Sequence, residues 1–137
     1  MPKVSLTRRV VFSAAHRLHS AELSDEENRR IFEKCNHVNG HGHNYTLEVT
    51  VRGEVDPRSG MVMNLTELMR TIEETVLAKL DHKNLNVDVA DFQRMNPTAE
   101  NIAVVIWRML NKKLPQGLLE QVRLIETENN SVVYRGE

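Results

Sequence analysis

His41 and His43 stand two residues apart in the glycine-rich stretch Asn39-Gly40-His41-Gly42-His43. On a β-strand, residues i and i+2 point to the same face. Two imidazole nitrogens held that way can converge on one metal ion, about 2.0–2.1 Å from each. Gly40 and Gly42 keep side chains away from the pair and let the backbone bend. An HxH alone also arises by chance, with each histidine an ordinary core or surface residue. A third histidine shifts that balance. His16 continues the even-numbered face of an earlier apolar run, after Phe12 and Ala14, while His41 and His43 share the odd-numbered face of Tyr45, Leu47 and Val49. All three extend the apolar faces of their strands. Three histidines without a fourth protein ligand form the pattern of a catalytic zinc site, which keeps one coordination position open. His19 and His37 read as surface or supporting residues.

Three other places hold groups that can move protons or bind polar ligands. Cys35 is the only cysteine and lies six residues before His41. A lone cysteine is commonly an inert buried thiol. Beside a dication its thiolate would be favoured, its pKa lowered, and it would serve as a general base. Asp81-His82 is a pair in which the carboxylate can fix a histidine tautomer and stabilise its cation, although both residues also fit as ordinary polar groups at a helix end. Glu126 shares the parity of Val122 and Leu124, so its carboxylate continues an apolar stripe. Burying it without partners is costly. Adjacent N–H groups of a heterocycle would suit it, since a carboxylate accepts two donors side by side.

These residues need elements to hold them. Val4 to Phe12 alternates as a half-buried strand, and Tyr45 to Arg52 forms a second long one. Ser24-Asp25-Glu26-Glu27 is a capping-box signature that opens a short helix toward Phe32. Asn64 caps a helix with the apolar stripe Leu65, Leu68, Met69, Ile72, Val76, Leu77 and Leu80. Asp81 to Asn96 reads as a long loop, a length that often carries function. Thr98 caps a second helix running to about Leu114, where Pro115 stops it. Gln121–Glu128 and Ser131–Arg135 read as strands joined by a tight turn at Asn129-Asn130. Met61, Met63, Met69 and Trp107 read as core packing. The expectation is a single α+β domain over residues 1–137: a four-stranded antiparallel sheet with two helices on one face. Its two long edges must be covered or paired, which subunits joined into a barrel would achieve.

Composition narrows the function. The chain has 137 residues, 18 basic and 19 acidic, for a net charge of -1, so a general polyanion binder is not indicated and no nucleic acid is expected as a partner. No apolar run reaches the roughly 18 residues of a membrane span, and no secretory leader opens the sequence, so no membrane partner is expected. One cysteine permits no internal disulfide, which fits a reducing, cytoplasmic setting.

Six ordered segments carry a family resemblance: Phe-Ser-Ala-Ala-His-Arg-Leu-His (12–19), Cys-Asn-His-Val-Asn-Gly-His-Gly-His-Asn-Tyr (35–45), Gly-Met-Val-Met-Asn-Leu (60–65), Leu-Asp-His-Lys-Asn-Leu (80–85), Pro-Thr-Ala-Glu-Asn (97–101) and Glu-Thr-Glu-Asn-Asn (126–130). Over nearly its whole length the chain resembles the 6-pyruvoyltetrahydropterin synthase family. The resemblance implies the tunnelling fold and a homohexamer built as a dimer of trimers. It implies zinc on His16, His41 and His43, Cys35 as proton acceptor, and Asp81 and His82 completing a triad from a neighbouring subunit. Glu126 would anchor the pterin, with Thr98 and Glu100 beside it. The implied reaction turns 7,8-dihydroneopterin triphosphate into 6-pyruvoyltetrahydropterin and triphosphate, in tetrahydrobiopterin synthesis. Arg8, Arg9, Lys34 and Lys83 are the cations available for the triphosphate. Two alternatives are a 6-carboxytetrahydropterin synthase and a non-catalytic zinc or pterin-binding module. The five residues between Cys35 and His41 resemble the biopterin enzyme, and Cys35 itself argues against a folate-pathway relative that carries glutamate there.

Overall fold

The computed structural model describes residues 2–137. Strand β1 (Lys3–His16) pairs antiparallel with β2 (His41–Glu54) through an unbroken register from Lys3↔Glu54 to His16↔His41. The alternation that defines both strands puts Val10, Phe12, Ala14 and His16 on one face of β1, and Tyr45, Leu47, Val49 and Val51 on the same face of the sheet, all buried. Strand β4 (Leu119–Thr127) pairs with β2, and β5 (Asn130–Tyr134) pairs with β4. The expected four-stranded antiparallel sheet is corrected to a five-stranded mixed one, in which a strand β3 (Lys83–Asn84) stands at one edge in the order β3-β1-β2-β4-β5. This extra strand runs parallel to β1 beside Ala14 and Ala15. Two polar residues are too few to show a period, so the sequence carries no sign of it.

Helix α1 (Asp25–Phe32) begins on the expected capping box: Glu27 N donates to Ser24 Oγ at 3.1 Å and Ser24 N to Glu27 Oε1 at 3.3 Å. Helix α2 (Leu65–Ile72) passes through a π-helical turn (Glu73–Leu77) into α3 (Ala78–Leu80). Two features produce that turn. Leu68, Ile72, Val76 and Leu80 are fully buried at a strict spacing of four, and an ideal helix would rotate such a series by about 40° per step away from the sheet. A wider turn brings Val76 and Leu80 back to it. The hydroxyls of Thr71 and Thr75 also bond back to the carbonyls of Glu67 and Thr71, at 2.9 and 2.6 Å, which loosens the local ladder.

The stretch 81–96, expected as a loop, is largely structured. It holds β3, the short α4 (Leu85–Asp88) and a 3-10 turn (Ala90–Phe92), pinned to the core by buried Leu85, Val89 and Phe92. Helix α5 (Ala99–Asn111) starts on the Thr98 cap, and a looser turn carries on to Leu114, whose N–H donates to the Leu110 carbonyl at 2.9 Å before Pro115 stops the chain. Met61 is exposed rather than core, whereas Met63, Met69 and Trp107 do pack against the core. The hairpin turn falls on Glu128-Asn129, with Thr127 opposite Asn130. Among the described residues no helix is long and apolar enough to cross a membrane.

Gly40 enters β2 at φ 74°, and a Cβ there would lie 2.9 Å from the His16 carbonyl oxygen, whereas Gly60, at φ 75°, has open space around it. Both positions charge an alanine for its left-handed backbone, about 1–2 kcal/mol, but only Gly40→Ala adds a clash with β1. Urea unfolding of the two variants should therefore show Gly40→Ala the more destabilised. Equal losses would contradict the close approach.

Candidate metal centre and its neighbouring cleft

The β1–β2 register builds the histidine cluster. His16 lies directly opposite His41, and His43 lies opposite Ala14, whose small side chain leaves room for a ring. The ring centroids of the three pairs are 4.6, 5.2 and 4.8 Å apart, and one potential ligand atom from each histidine lies within 4.8 Å of the others. Among the described residues this group has the composition and closeness of a metal site. The Pro97 carbonyl, 2.7 Å from His16 Nδ1, fixes the proton on that nitrogen and leaves Nε2 bare. The Tyr45 hydroxyl lies beyond it at 3.4 Å. His16 Nε2 faces His41 Nε2 at 3.1 Å. His41 Nδ1 and His43 Nε2 are buried without a partner.

Burial pushes the His16 pKa down to about 4, aided by the neighbouring His41 and His43 and opposed by the Pro97 hydrogen bond. Burial, then His43, lowers His41 as well, against the charge of Glu126. His16 is thus neutral near pH 7, the state that binds metal. Buried ring nitrogens without partners are costly. A metal ion that takes one nitrogen from each ring would share out these crowded lone pairs, so the three-imidazole set fits a metal ion with nitrogen ligands.

Cys35 sits half-buried in the 3-10 turn Glu33–Asn36. The lowered thiol pKa expected beside a dication has to be set against the push of the protein's own groups. Burial pushes the Cys35 thiol up, and the negative charges of Glu126 and Glu33 push the same way. Burial, then Glu126 and Cys35, likewise raises Tyr45, which stays a neutral phenol.

Glu126 has a structural feature that parity could not show. Ile125 pairs with Ser131 and Thr127 with Asn130, so Glu126 occupies an irregularity of the β4–β5 ladder. Such bulges re-aim side chains and are common beside active sites. Glu126 lines a cleft of about 550 Å³ together with Thr98, Glu100, Leu18 and Phe32. None of the ion pairs among the described residues involves its carboxylate. The Thr98 oxygen caps α5 by accepting from Asn101 N at 3.2 Å. Glu100 is exposed in the first turn.

Asp81 and His82 are brought to each other but do not line this cleft. Asp81 Oδ1 lies 3.0 Å from His82 Nδ1 and accepts from Ser13 N at 2.9 Å, while His82 N donates to Ser13 O. The dyad therefore sits on the outer edge of β1, with the His82 side chain 83% exposed and its backbone at φ 61°. His37, Arg8, Arg9, Lys34 and Lys83 are all exposed. Sequence reasoning missed Pro97 as a partner of His16, because a backbone carbonyl leaves no mark in residue type.

Known proteins resemble this chain over almost its whole length. A family model described as 6-pyruvoyl tetrahydropterin synthase matches residues 5–137. The 6-pyruvoyl tetrahydrobiopterin synthase of Homo sapiens is 55% identical over 135 residues, covering 98% of this chain and 93% of its own length. That of Dictyostelium discoideum is 52% identical, covering 98% and 97%. The solved structure of Caenorhabditis elegans 6-pyruvoyl tetrahydropterin synthase superimposes with a TM-score of 0.96 at 46% identity, covering 100% of this chain and 98% of that one.

The depressed His16 pKa has a stability consequence in metal-stripped protein. The unfolded imidazole takes up its proton near pH 6.5 and the folded one only near 4. The contribution is fully present above pH 6.5 and is lost as pH falls toward 4, by up to about 3 kcal/mol. Urea unfolding of chelated protein at pH 7 and pH 4.5 should show this loss, and His16→Gln should flatten it. An unchanged slope in the variant would assign the loss elsewhere.

Proposed function

The chain belongs to the 6-pyruvoyl tetrahydropterin synthase family of pterin lyases, and on that premise we propose that it converts 7,8-dihydroneopterin triphosphate into 6-pyruvoyltetrahydropterin with release of triphosphate. The observation that carries the proposal is the three-histidine cluster at the β1–β2 ladder end, held beside a cleft that contains Thr98, Glu100 and Glu126. The reaction reduces the pterin ring at the expense of its own side chain while triphosphate leaves, so it needs no external redox cofactor.

His16, His41 and His43 would hold Zn2+. When bound, zinc would polarise side-chain hydroxyl and carbonyl oxygens of the substrate and favour the thiolate of a nearby cysteine. Glu126 would bind the pterin ring by accepting adjacent N–H groups, the role that suits a carboxylate without a protein partner. Thr98, whose oxygen is used in the helix cap, retains its O–H for the ring, and Glu100 lies at the same rim. Cys35 would take a proton from a side-chain carbon of the substrate. Asp81 holds His82 by Nδ1, so Nε2 is left to exchange protons. The exposure of His82 fits a role in a site completed by another copy, as in a hexamer of two trimers whose sheets join edge to edge. Residues 1–137 would make up one domain, working in the cytoplasm.

Incubation with 7,8-dihydroneopterin triphosphate and zinc, followed by product identification, tests the reading. The expected product is 6-pyruvoyltetrahydropterin, and 6-carboxytetrahydropterin alone would overturn it. Cys35→Ala should lower turnover by about 10²–10⁴-fold with zinc retained. Glu126→Ala should raise KM by roughly 10- to 150-fold, the worth of a hydrogen bond to a charged group. His41→Ala should lose zinc by elemental analysis. Full activity in Cys35→Ala would remove the thiol from the chemistry.

A further inference from the structure

Beyond His16 the chain leaves the sheet, and among the described residues no strand pairs with the backbone of Arg17–His19. Side chains from three other segments take that place. Asn86 in α4 accepts from Arg17 N at 2.7 Å and donates to Arg17 O at 2.9 Å. Asn96 accepts from His19 N at 3.1 Å. The remaining link comes from the turn that carries Cys35. Leu18 N donates to the Cys35 carbonyl at 2.8 Å, and Asn36 Nδ2 donates to Leu18 O at 2.7 Å. The Asn36 carbonyl in turn accepts from Arg17 Nε at 2.9 Å, and Asn36 Nδ2 lies 3.0 Å from His19 Nδ1. Asn36 is 6% exposed.

Within itself the turn is weakly held, His37 N reaching the Lys34 carbonyl only at 3.3 Å. A four-residue 3-10 segment has poor internal hydrogen-bond geometry. It opens on Glu33, whose backbone takes the sparsely populated φ 49°, ψ -122°. A general base must come within hydrogen-bond reach of the group it deprotonates, about 2.6–3.2 Å between heavy atoms or one water away. Where Cys35 stands relative to the histidines therefore depends on what ties its turn to the end of β1.

We propose that Asn36 is a positioning residue of the reaction centre. Its side-chain amide locks the Cys35 turn to the segment leaving His16 and so sets the thiol against the metal ligands. Asn36 touches no substrate in this role and acts through Cys35. The inference rests on the reading of Cys35 as the proton acceptor.

The test compares zinc-loaded Asn36→Ala, Cys35→Ala and Asn28→Ala. Asn28 is equally buried and makes four bonds, but it ties the Ser20–Ser24 loop to α1. Asn36→Ala should keep its zinc and lose about 10- to 100-fold in kcat, the scale of a misplacement near 1 Å, with KM within about threefold. Its Cys35 should also react faster with iodoacetamide, by roughly threefold or more, as the turn opens. Asn28→Ala should melt at a lower temperature yet keep its kcat and alkylation rate. If Asn36→Ala does not fold, Asn36→Ser carries the same expectations. Native kcat and native alkylation in a folded Asn36 variant, with Cys35→Ala inactive, would overturn the proposal. So would an equal kcat loss in Asn28→Ala, which would mark a general effect of loosened packing. Full turnover in Cys35→Ala is a separate result. It would end the reading of Cys35, while the alkylation rates would still report whether Asn36 holds the turn.

Discussion

The pairing of β1 with β2 decides where the chemistry can be. A slip of one residue would turn His16 to the polar face, and with it every core side chain of β1. Val10, Phe12 and Ala14 are held in the core opposite Leu47, Tyr45 and His43, so the hydrophobic effect that fixes the register also fixes the imidazoles. The ladder runs without a bulge up to His16↔His41. The histidines therefore inherit the rigidity of the longest pairing in the sheet, although they stand at its very end.

Rigidity of that kind stops where the ladder stops. Beyond His16 the chain must bend around the site, and its backbone groups need partners that a sheet no longer offers. Asparagine suits this because one side chain both donates and accepts and can mimic a missing strand, as Asn86 does for Arg17. The Pro97 carbonyl performs the complementary service for His16, setting its tautomer from the backbone immediately before the Thr98 cap of α5. One short stretch, Asn96–Thr98, thus touches the segment after β1, the His16 ring and the wall of the cleft.

What could be read from residue order follows from how the information is written. Strand parity put His16, His41 and His43 on one face because a period of two survives over many residues, and the structure agrees. Caps at Ser24, Asn64 and Thr98 were legible because each depends on a side chain placed locally. Strand β3 was not, since two polar residues have no period and their pairing with Ala14 and Ala15 depends on the whole chain returning. The π-helical turn was visible in principle, as the strict spacing of four from Leu68 to Leu80. The ladder irregularity at Glu126 depends on the length of the following hairpin and could not be seen from its parity. The push of the protein's own groups on the Cys35 thiol was not legible either, because its first cause is burial and its second the charge of Glu126, and both arise only when distant segments meet.

That last point ties the cleft to the cluster. The Glu126 carboxylate raises the thiol of Cys35, raises Tyr45 and counters the lowering of His41. In each case it favours the protonated form. Left without a partner, it therefore works against both a thiolate and a bare imidazole. A hydrogen-bond donor meeting that carboxylate weakens its pull on all three at once, and positive charge among the histidines acts in the same direction on the thiol. The irregularity that aims Glu126 into the cleft thus places one charge where a ligand's N–H groups can reach it and where its field still reaches the cysteine and the cluster.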